Sequence, residues 1–288
     1  MAGSAVILPD GRLHLQEGPI DIVIGLDGTR EARAAAREQA TAAFQGLLAG
    51  LAAELPLLRA PIGLEMPALR HPGARRMAEA GWPYRRSFIT PMAAVAGAVA
   101  EHIRDAIAGI PGLATAYVNN GGDIALHLAP GQRLHVGLVR CLERAAPEGL
   151  VRIRAEDAIR GIATSGWPGR SFSLGIADAV TVLATDAAAA DAAATVIANA
   201  VNAQHPAISR APACSLDPDS DLGELPVTTG VGPLPAKVAE AALDAGEAEA
   251  ERLLSLGLIR AALLALGERW RVVGTLPGLP GYRTPPIG

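Results

Sequence analysis

The hydrophobic and polar positions change period several times along the chain, and each change predicts an element. Ile20–Leu26 reads IDIVIGL, a β-branched run closed by Asp27-Gly28, and predicts a strand and a turn. Thr29–Leu55 is rich in Ala, Arg and Glu and stops before Pro56, which predicts one long helix. Arg59–Arg86 holds Pro61, Pro67, Pro72 and Pro83 among several glycines without a period, so an irregular loop is expected. Met92–Ile110 resumes helical character, with Pro91 at its first turn and Gly109 near its end. Ala114–Leu128 reads as strand, glycine break, strand. Pro130-Gly131 is a turn, and Arg133–Val139 alternates as a further strand.

In the second half, Ala179–Ala184 predicts a strand and Asp186–Asn202 a helix capped by Thr185 or Asp186. Pro206–Gly232 is expected as loop. Lys237–Leu266 is expected as one or two helices interrupted near Gly257, and Arg271–Gly274 as a last short strand. From Pro277 onward the density of Pro and Gly predicts an extended tail. Strands alternate with helices, yet the strand clusters include a hairpin. The expected class is therefore α+β, a mixed or antiparallel sheet with packed helices, rather than a doubly wound parallel sheet. No composition shift marks a linker and no repeat is visible. A single domain over 1–288 is expected, with its core at about 20–275 and a tail at 277–288.

Composition sharpens this reading. Hydrophobic residues make up 50% of the chain but aromatics only 3%, so the core must be built from Ala, Val, Leu and Ile. The net charge of −4 supplies no bulk field toward nucleic acid or an anionic membrane. Lys237 is the only lysine, so lysine chemistry has one candidate. Cys141 and Cys214 lie far apart with no CxxC spacing, and predict neither a zinc site nor a disulfide framework. Met1–Asp10 lacks a cationic stretch followed by a long apolar one. The longest apolar run, Ala179–Val201, is interrupted by Asp186 and Asp191. A cytoplasmic protein without membrane spans is expected.

Four features bear on chemistry. Asn119-Asn120-Gly121-Gly122-Asp123 follows a strand; paired glycines either make a tight turn or let backbone approach a ligand. Gly161-Ile162-Ala163-Thr164-Ser165-Gly166 places hydroxyls beside glycines, which suits phosphate or ribose contacts and equally an ordinary loop before Trp167-Pro168. Asp191 and Thr195 lie one turn apart on one helix face. Their hard oxygens suit magnesium, and a solvated Asp with a Thr bonded back to its own helix is the plainer alternative. His127 and His135 flank Pro130-Gly131 and would pair across a hairpin, although a solvated strand face explains them more simply.

The first three features together carry a resemblance. VNNGGDIAL at Val118–Leu126 resembles the glycine-glycine-aspartate signature of the ApbE-like group, relatives of the FAD:protein FMN transferases. IATSG at Ile162–Gly166 resembles that group's Ser-Gly loop, and AVTVLATDAAAADAAAT at Ala179–Thr195 its Val-Thr-Val strand leading into an Ala-Asp-x-x-x-Thr helix. The order and separations are family-like over roughly residues 20–205. The wording GIADAVTV and ATVIANAV is most similar to a branch that lacks the transferases' His-x-x-Asp-Pro motif.

The resemblance implies an ApbE-like α+β fold and a site for FAD or FMN. It implies Mg²⁺-assisted cleavage of FAD and transfer of FMN to a Thr or Ser of a flavoprotein acceptor, or else a non-catalytic flavin-binding or accessory role beside a redox or sulfur-metabolism partner, or the same scaffold with another small ligand. Asp191 and Thr195 would hold the metal, with a carbonyl near Gly161–Ala163. Asn120, Gly121, Gly122 and Asp123 would line the flavin, and Thr164, Ser165 and Gly166 would form the opposite wall. The interval Trp167–Ala177 contains no histidine and no Asp-Pro, and Val95-Ala96-Gly97-Ala98 stands where the transferases carry a lysine. Asp178, the carboxylate nearest that interval, is left as the catalytic candidate. An Ala-rich apolar surface also hints at a homodimer.

Overall fold

The computed structural model describes residues 3–138 and 149–276. The tail from Pro277, Cys141 and the expected end of a strand at Val139 lie outside the described residues. In chain order the elements begin with β1 (Ser4–Ile7), β2 (Leu13–Glu17), β3 (Ile20–Gly28), α1 (Arg30–Phe44), α2 (Leu47–Ala52), α3 (Leu55–Leu58), α4 (Pro72–Gly81) and α5 (Val95–Ile107). Then come β4 (Leu113–Asn120), β5 (Asp123–Leu128), β6 (Arg133–Leu138), β7 (Gly149–Arg154), β8 (Gly161–Ser165), β9 (Ala179–Ala184) and α6 (Ala187–Ala200). The last are β10 (Ile208–Pro212), α7 (Ala213–Leu216), β11 (Pro226–Val231), α8 (Ala236–Ser255), β12 (Ala261–Leu266) and β13 (Arg269–Gly274). The class is α+β, as the alternating pattern implies.

The chain forms two compact units, each assembled from three separate segments: Met1–Leu134 with Arg154–Ala163 and Ala184–Ala192, and His135–Ile153 with Thr164–Leu183 and Ala193–Gly288. Because the chain changes unit inside β6, β7, β8, β9 and α6, no linker composition marks the change.

In the first unit β1, β2, β3, β4 and β5 pair antiparallel in sequence order, and β5 pairs with the start of β8 through Ile124↔Ile162 and Ala125↔Gly161. Helices α1 and α5 pack on these strands. The alternation of Ile20, Ile22 and Ile24 turns those three side chains into the core, the period-2 rule of a half-covered sheet. Burial of a large aliphatic side chain is worth about 1.5–3 kcal/mol, so Leu15, Ile22, Ile24, Ile103 and Ile107 do here what aromatics do elsewhere.

Three expectations in this unit are corrected. The expected helix Thr29–Leu55 is two helices, α1 and α2, parted by Gly46 at φ +75°, and a third, α3, begins at Leu55. Thr29 caps α1 as its N-terminal position suggests, its hydroxyl accepting from the Ala32 amide at 3.1 Å. The loop Arg59–Arg86 contains α4, which starts at Pro72 with His71 as its cap and buries Ala74, Met77, Ala78 and Gly81 on one face. The Pro130-Gly131 hairpin is not a ladder: β6 pairs with β7 instead.

In the second unit β12 lies between β9 and β13, both antiparallel to it, and α8 covers β12 and β13. Ala239, Ala242, Leu243, Gly246, Ala250 and Leu253 form the buried stripe of α8. Glu240, Asp244 and Glu247 reach from α8 to Arg271 of β13, which is only 8% exposed. The end of the expected helical stretch Lys237–Leu266 is the strand β12, and the expected loop Pro206–Gly232 contains the β10–β11 hairpin, bulged at Ser209/Arg210. Among the described residues no helix is long and apolar enough to cross a membrane.

Candidate functional site

The first unit gathers the glycine pair and the helical aspartate. Asn120 and Asp123 are directly opposed at the end of the β4–β5 ladder, and Gly121 and Gly122 form the two-residue turn between them. Their φ angles of +66° and +114° are those a tight hairpin turn demands of both central residues, which is why glycines stand there. Asn119 Oδ1 accepts from the Gly122 amide at 2.9 Å and holds the turn. Gly122 has open space where a Cβ would project, and both glycines are exposed. Asn120 and Asp123 are buried beneath the turn, and Asn120 Nδ2 donates to the Ala96 carbonyl at 3.2 Å.

Asp191 reaches this corner because of one glycine. Gly97 lies in the first turn of α5, and a Cβ there would run into the Ala187 carbonyl at the start of α6. With only a hydrogen in the way, the start of α6 packs directly on α5. Asp191, one turn beyond Ala187, then accepts from the Gly97 amide through Oδ2 at 2.9 Å, and the Ala96 amide also points at its carboxyl. Ala94, at the cap position of α5, makes no side-chain cap bond, so Asp191 supplies from another helix the acceptor that amide donors at a helix start need.

Some surface of Asp191 stays exposed, but its carboxyl lies deep among protein atoms. That burial pushes its pKa well above the usual carboxylate range, the facing Asp123 carboxyl pushes the same way, and the Gly97 and Ala96 amides only partly oppose them. Two carboxyls sharing one enclosed corner cannot both carry charge cheaply; the corner suits a shared proton or a cation. Glu101, also buried, accepts from the Ala188 amide at 3.2 Å and from Arg104 at 3.2 Å. Asp186 caps the same α6 start, its Oδ1 accepting from Ala189 at 2.8 Å. Gly161 presses against the Asp186 carbonyl, where any side chain would collide.

Thr195 lies one turn beyond Asp191 on α6, half-buried, and belongs to the second unit. There Thr164 and Thr181 bring their hydroxyls to 2.9 Å, Ser165 is half-buried beside them, and Gly166 packs on the Asp178 carbonyl with no room for a Cβ. Asp178 accepts from Trp167 Nε1 at 3.1 Å through one oxygen and from the Gly267 amide at 2.6 Å through the other. Its carboxylate thereby ties the loop after β8 to the β12–β13 turn. His127 is half-buried in β5 of the first unit with Nε2 lacking a partner among the described residues, and burial lowers its pKa; His135 is exposed in β6 of the second. Among the described residues no group of three or more His, Cys, Asp or Glu side chains is arranged to hold a metal.

Sequence reasoning placed Asp123 and Asp191 in separate roles, whereas the structure sets their carboxyls face to face. Glu101 belongs to no motif, and the sequence marks Gly97 only as part of the stretch that replaces the transferases' lysine. The signal for Gly97 is a glycine within a helical stretch, where it costs about 1 kcal/mol against alanine and so calls for a packing reason.

Comparison with known proteins bears on this arrangement. The family model described as AbpE bacteria matches residues 5–272. A UPF0280 protein of Methanoculleus marisnigri is 38% identical over 162 residues, 56% of this chain and 57% of that protein. A UPF0280 protein of Methanopyrus kandleri is 35% identical over 172 residues, 57% of this chain and 67% of that protein. One of Methanospirillum hungatei is 38% identical over 126 residues, 43% of this chain and 49% of that protein. The chain thus spans about half to two thirds of the length of the curated relatives it matches. Among solved structures, the apo form of the Pseudomonas stutzeri flavinyl transferase ApbE aligns with TM-score 0.43 and 11% identity over 96% of this chain and 95% of that one.

Proposed function

Because the chain belongs to the family described as AbpE bacteria, we propose that it binds a flavin nucleotide, FAD or FMN, with Mg²⁺ held at the Asp123–Asp191 corner. The observation that carries the reading is that corner. Two carboxyls face each other out of bulk water, one of them anchored at 2.9 Å by the Gly97 amide. Magnesium is often held by one or two protein carboxylates, with waters and substrate phosphates completing its shell, so the donor set fits. The resemblance assigns a further hydroxyl oxygen to Thr195, one turn along α6 from Asp191. When bound, magnesium would neutralise charge on the nucleotide's phosphates.

In this reading Asn120 keeps the hairpin end in place through Ala96. Gly121 and Gly122 present backbone to the flavin with no side chain above Gly122. The resemblance also assigns Thr164, Ser165 and Gly166 to the nucleotide; taken by themselves in the second unit, they offer hydroxyl and amide groups of the kind such a ligand takes. Asp178, with both oxygens engaged, orients Trp167 and the loop that begins at Gly166.

Transfer of FMN from FAD to a flavoprotein acceptor is the enzymatic form of the proposal, with Asp178 as the carboxylate nearest the altered interval. A nucleotide-holding accessory protein is the second form. It is favoured by one observation: Asp178 already accepts two hydrogen bonds, and the interval Trp167–Ala177 supplies no histidine in its place. Incubating the purified chain with FAD, Mg²⁺ and candidate flavoproteins separates the two. Covalent flavin on an acceptor, with AMP released, supports transfer. Binding of FAD with neither product supports the accessory form.

A further inference from the structure

We propose that the outer edge of β1 pairs with the same strand of a second copy of this chain, joining two molecules edge to edge about a two-fold axis. This inference does not depend on the flavin reading, and its test involves no nucleotide.

Among the described residues β1 hydrogen-bonds only to β2 and leaves its other edge unpaired. Edge strands are usually protected by being very short or by a charge, a proline, a bulge or a covering element; β1, four residues long, has only the first of these. Ser4-Ala5-Val6-Ile7 has no charged residue and no proline, its register with β2 is regular, and all four residues are exposed. Val6 is 52% exposed and Ile7 58%, one on each face of a strand that ends a sheet.

The face of β1 toward α1 is a groove. Ala5 lies opposite Leu15 and Ile7 opposite Leu13; Leu13 and Leu15 are buried, so Ala5 and Ile7 continue the core face past the cover of the helix. The groove holds about 450 Å³ and is lined by Ala5, Ile7, Leu13, Arg37, Thr41 and Gln45. A strand added at this edge would lay its own side chains over that space.

A second copy fits because the edge is self-complementary. Directly opposed residues of an antiparallel pair share a face. A two-fold axis normal to the sheet therefore sets one residue opposite its own copy. Centred on Val6, the ladder sets Val6 against the partner's Val6 on one face. On the α1 face it sets Ala5 against the partner's Ile7, and by symmetry Ile7 against the partner's Ala5. Each large side chain then meets a small one beside the groove. Centred on Ala5, the ladder would oppose Ile7 to a glycine and Val6 to a serine, with less apolar contact. The rim of the groove is balanced in sign, Glu38 following Arg37 on α1, so the rims of two copies meet without net repulsion. An extended apolar segment of an unrelated protein is the competing occupant.

The test uses the full chain. Sedimentation equilibrium is expected to show a concentration-dependent dimer. Val6→Lys and Ile7→Lys are each expected to give a monomer with unchanged circular dichroism, because both side chains are exposed. In a chain carrying Cys141→Ser and Cys214→Ser, oxidised Val6→Cys is expected to form an intermolecular disulfide efficiently, since position 6 faces its copy across the axis. Ser4→Cys, two residues from the axis on each strand, is expected not to. A native chain that stays monomeric at its highest soluble concentration overturns the proposal. So does a dimer that survives both lysine substitutions, or Val6→Cys linking no better than Ser4→Cys. If a lysine variant fails to fold, the cysteine pair decides alone.

Discussion

Asp191 accepts a hydrogen bond from the Gly97 amide at 2.9 Å, and that bond joins two helices whose starts touch because Gly97 has no side chain. The carboxylate caps α5 from outside and at the same time faces Asp123, so packing and candidate chemistry depend on the same residues.

Gly97→Ala tests that dependence. Its methyl group would meet the Ala187 carbonyl, which is backbone and cannot turn away. The expected cost is about 1–3 kcal/mol in chemical denaturation, the usual range for overpacking, with loss of nucleotide binding as Asp191 is displaced.

Asp191→Asn separates fold from ligand. A carboxyl whose pKa is raised on folding contributes stability that is complete below its unfolded pKa, and that stability is lost as pH rises through the raised folded value. At neutral pH without metal, the neutral Asn, whose side-chain oxygen still accepts from Gly97, is therefore expected to leave the protein at least as stable as the native chain. Mg²⁺-dependent nucleotide binding should disappear. Denaturation midpoints with and without Mg²⁺ check both statements.

Asp178→Ala removes the acceptor of Trp167 Nε1 and of the Gly267 amide. Losing charge-assisted bonds of this kind costs about 1–3 kcal/mol, and the Trp167 emission should shift as the indole loses its partner. Asp178→Asn keeps an acceptor oxygen and should recover much of the stability. If transfer activity exists and Asp178 takes part in proton movement, the Asn variant would remain inactive although folded.

His102 carries an acid sensitivity. Burial lowers its pKa most, the neighbouring His71 and Arg76 lower it further, and the Ala43 carbonyl and Asp105 partly oppose them. Its ring lies 5.7 Å from that of His71. A histidine with a depressed folded pKa is held neutral by the fold. Stability is then complete above the unfolded value near 6.5 and falls as pH drops below it toward the folded value. His102→Gln should flatten the loss of stability between neutral and mildly acidic pH in a denaturant series.

How far the sequence reveals this depends on the element. β3, the β4–β5 hairpin and α6 are legible because an alternating or helical period is bounded there by Gly, Asp or Pro, and β9, buried throughout, is legible by its β-branched Val-Thr-Val. β12 is not legible. AALLAL is buried at every position, so it shows no period of two, and Ala and Leu are good helix formers. The α4 helix hides behind its prolines, although Pro72 is a first-turn proline rather than a breaker. In the candidate site each residue is visible as a type, but the meeting of Asp123 with Asp191 is tertiary. It follows from the clearance between Gly97 and Ala187, which no local spacing encodes.

The most direct measurement is calorimetric titration of the purified full chain with FAD and with FMN, each with and without Mg²⁺, repeated on Asp191→Asn. The account predicts saturable binding of at least one nucleotide, strengthened by Mg²⁺, with the Mg²⁺ dependence absent in the variant. No binding of either nucleotide in the presence of Mg²⁺ would contradict it, as would a variant that binds metal and nucleotide like the native chain.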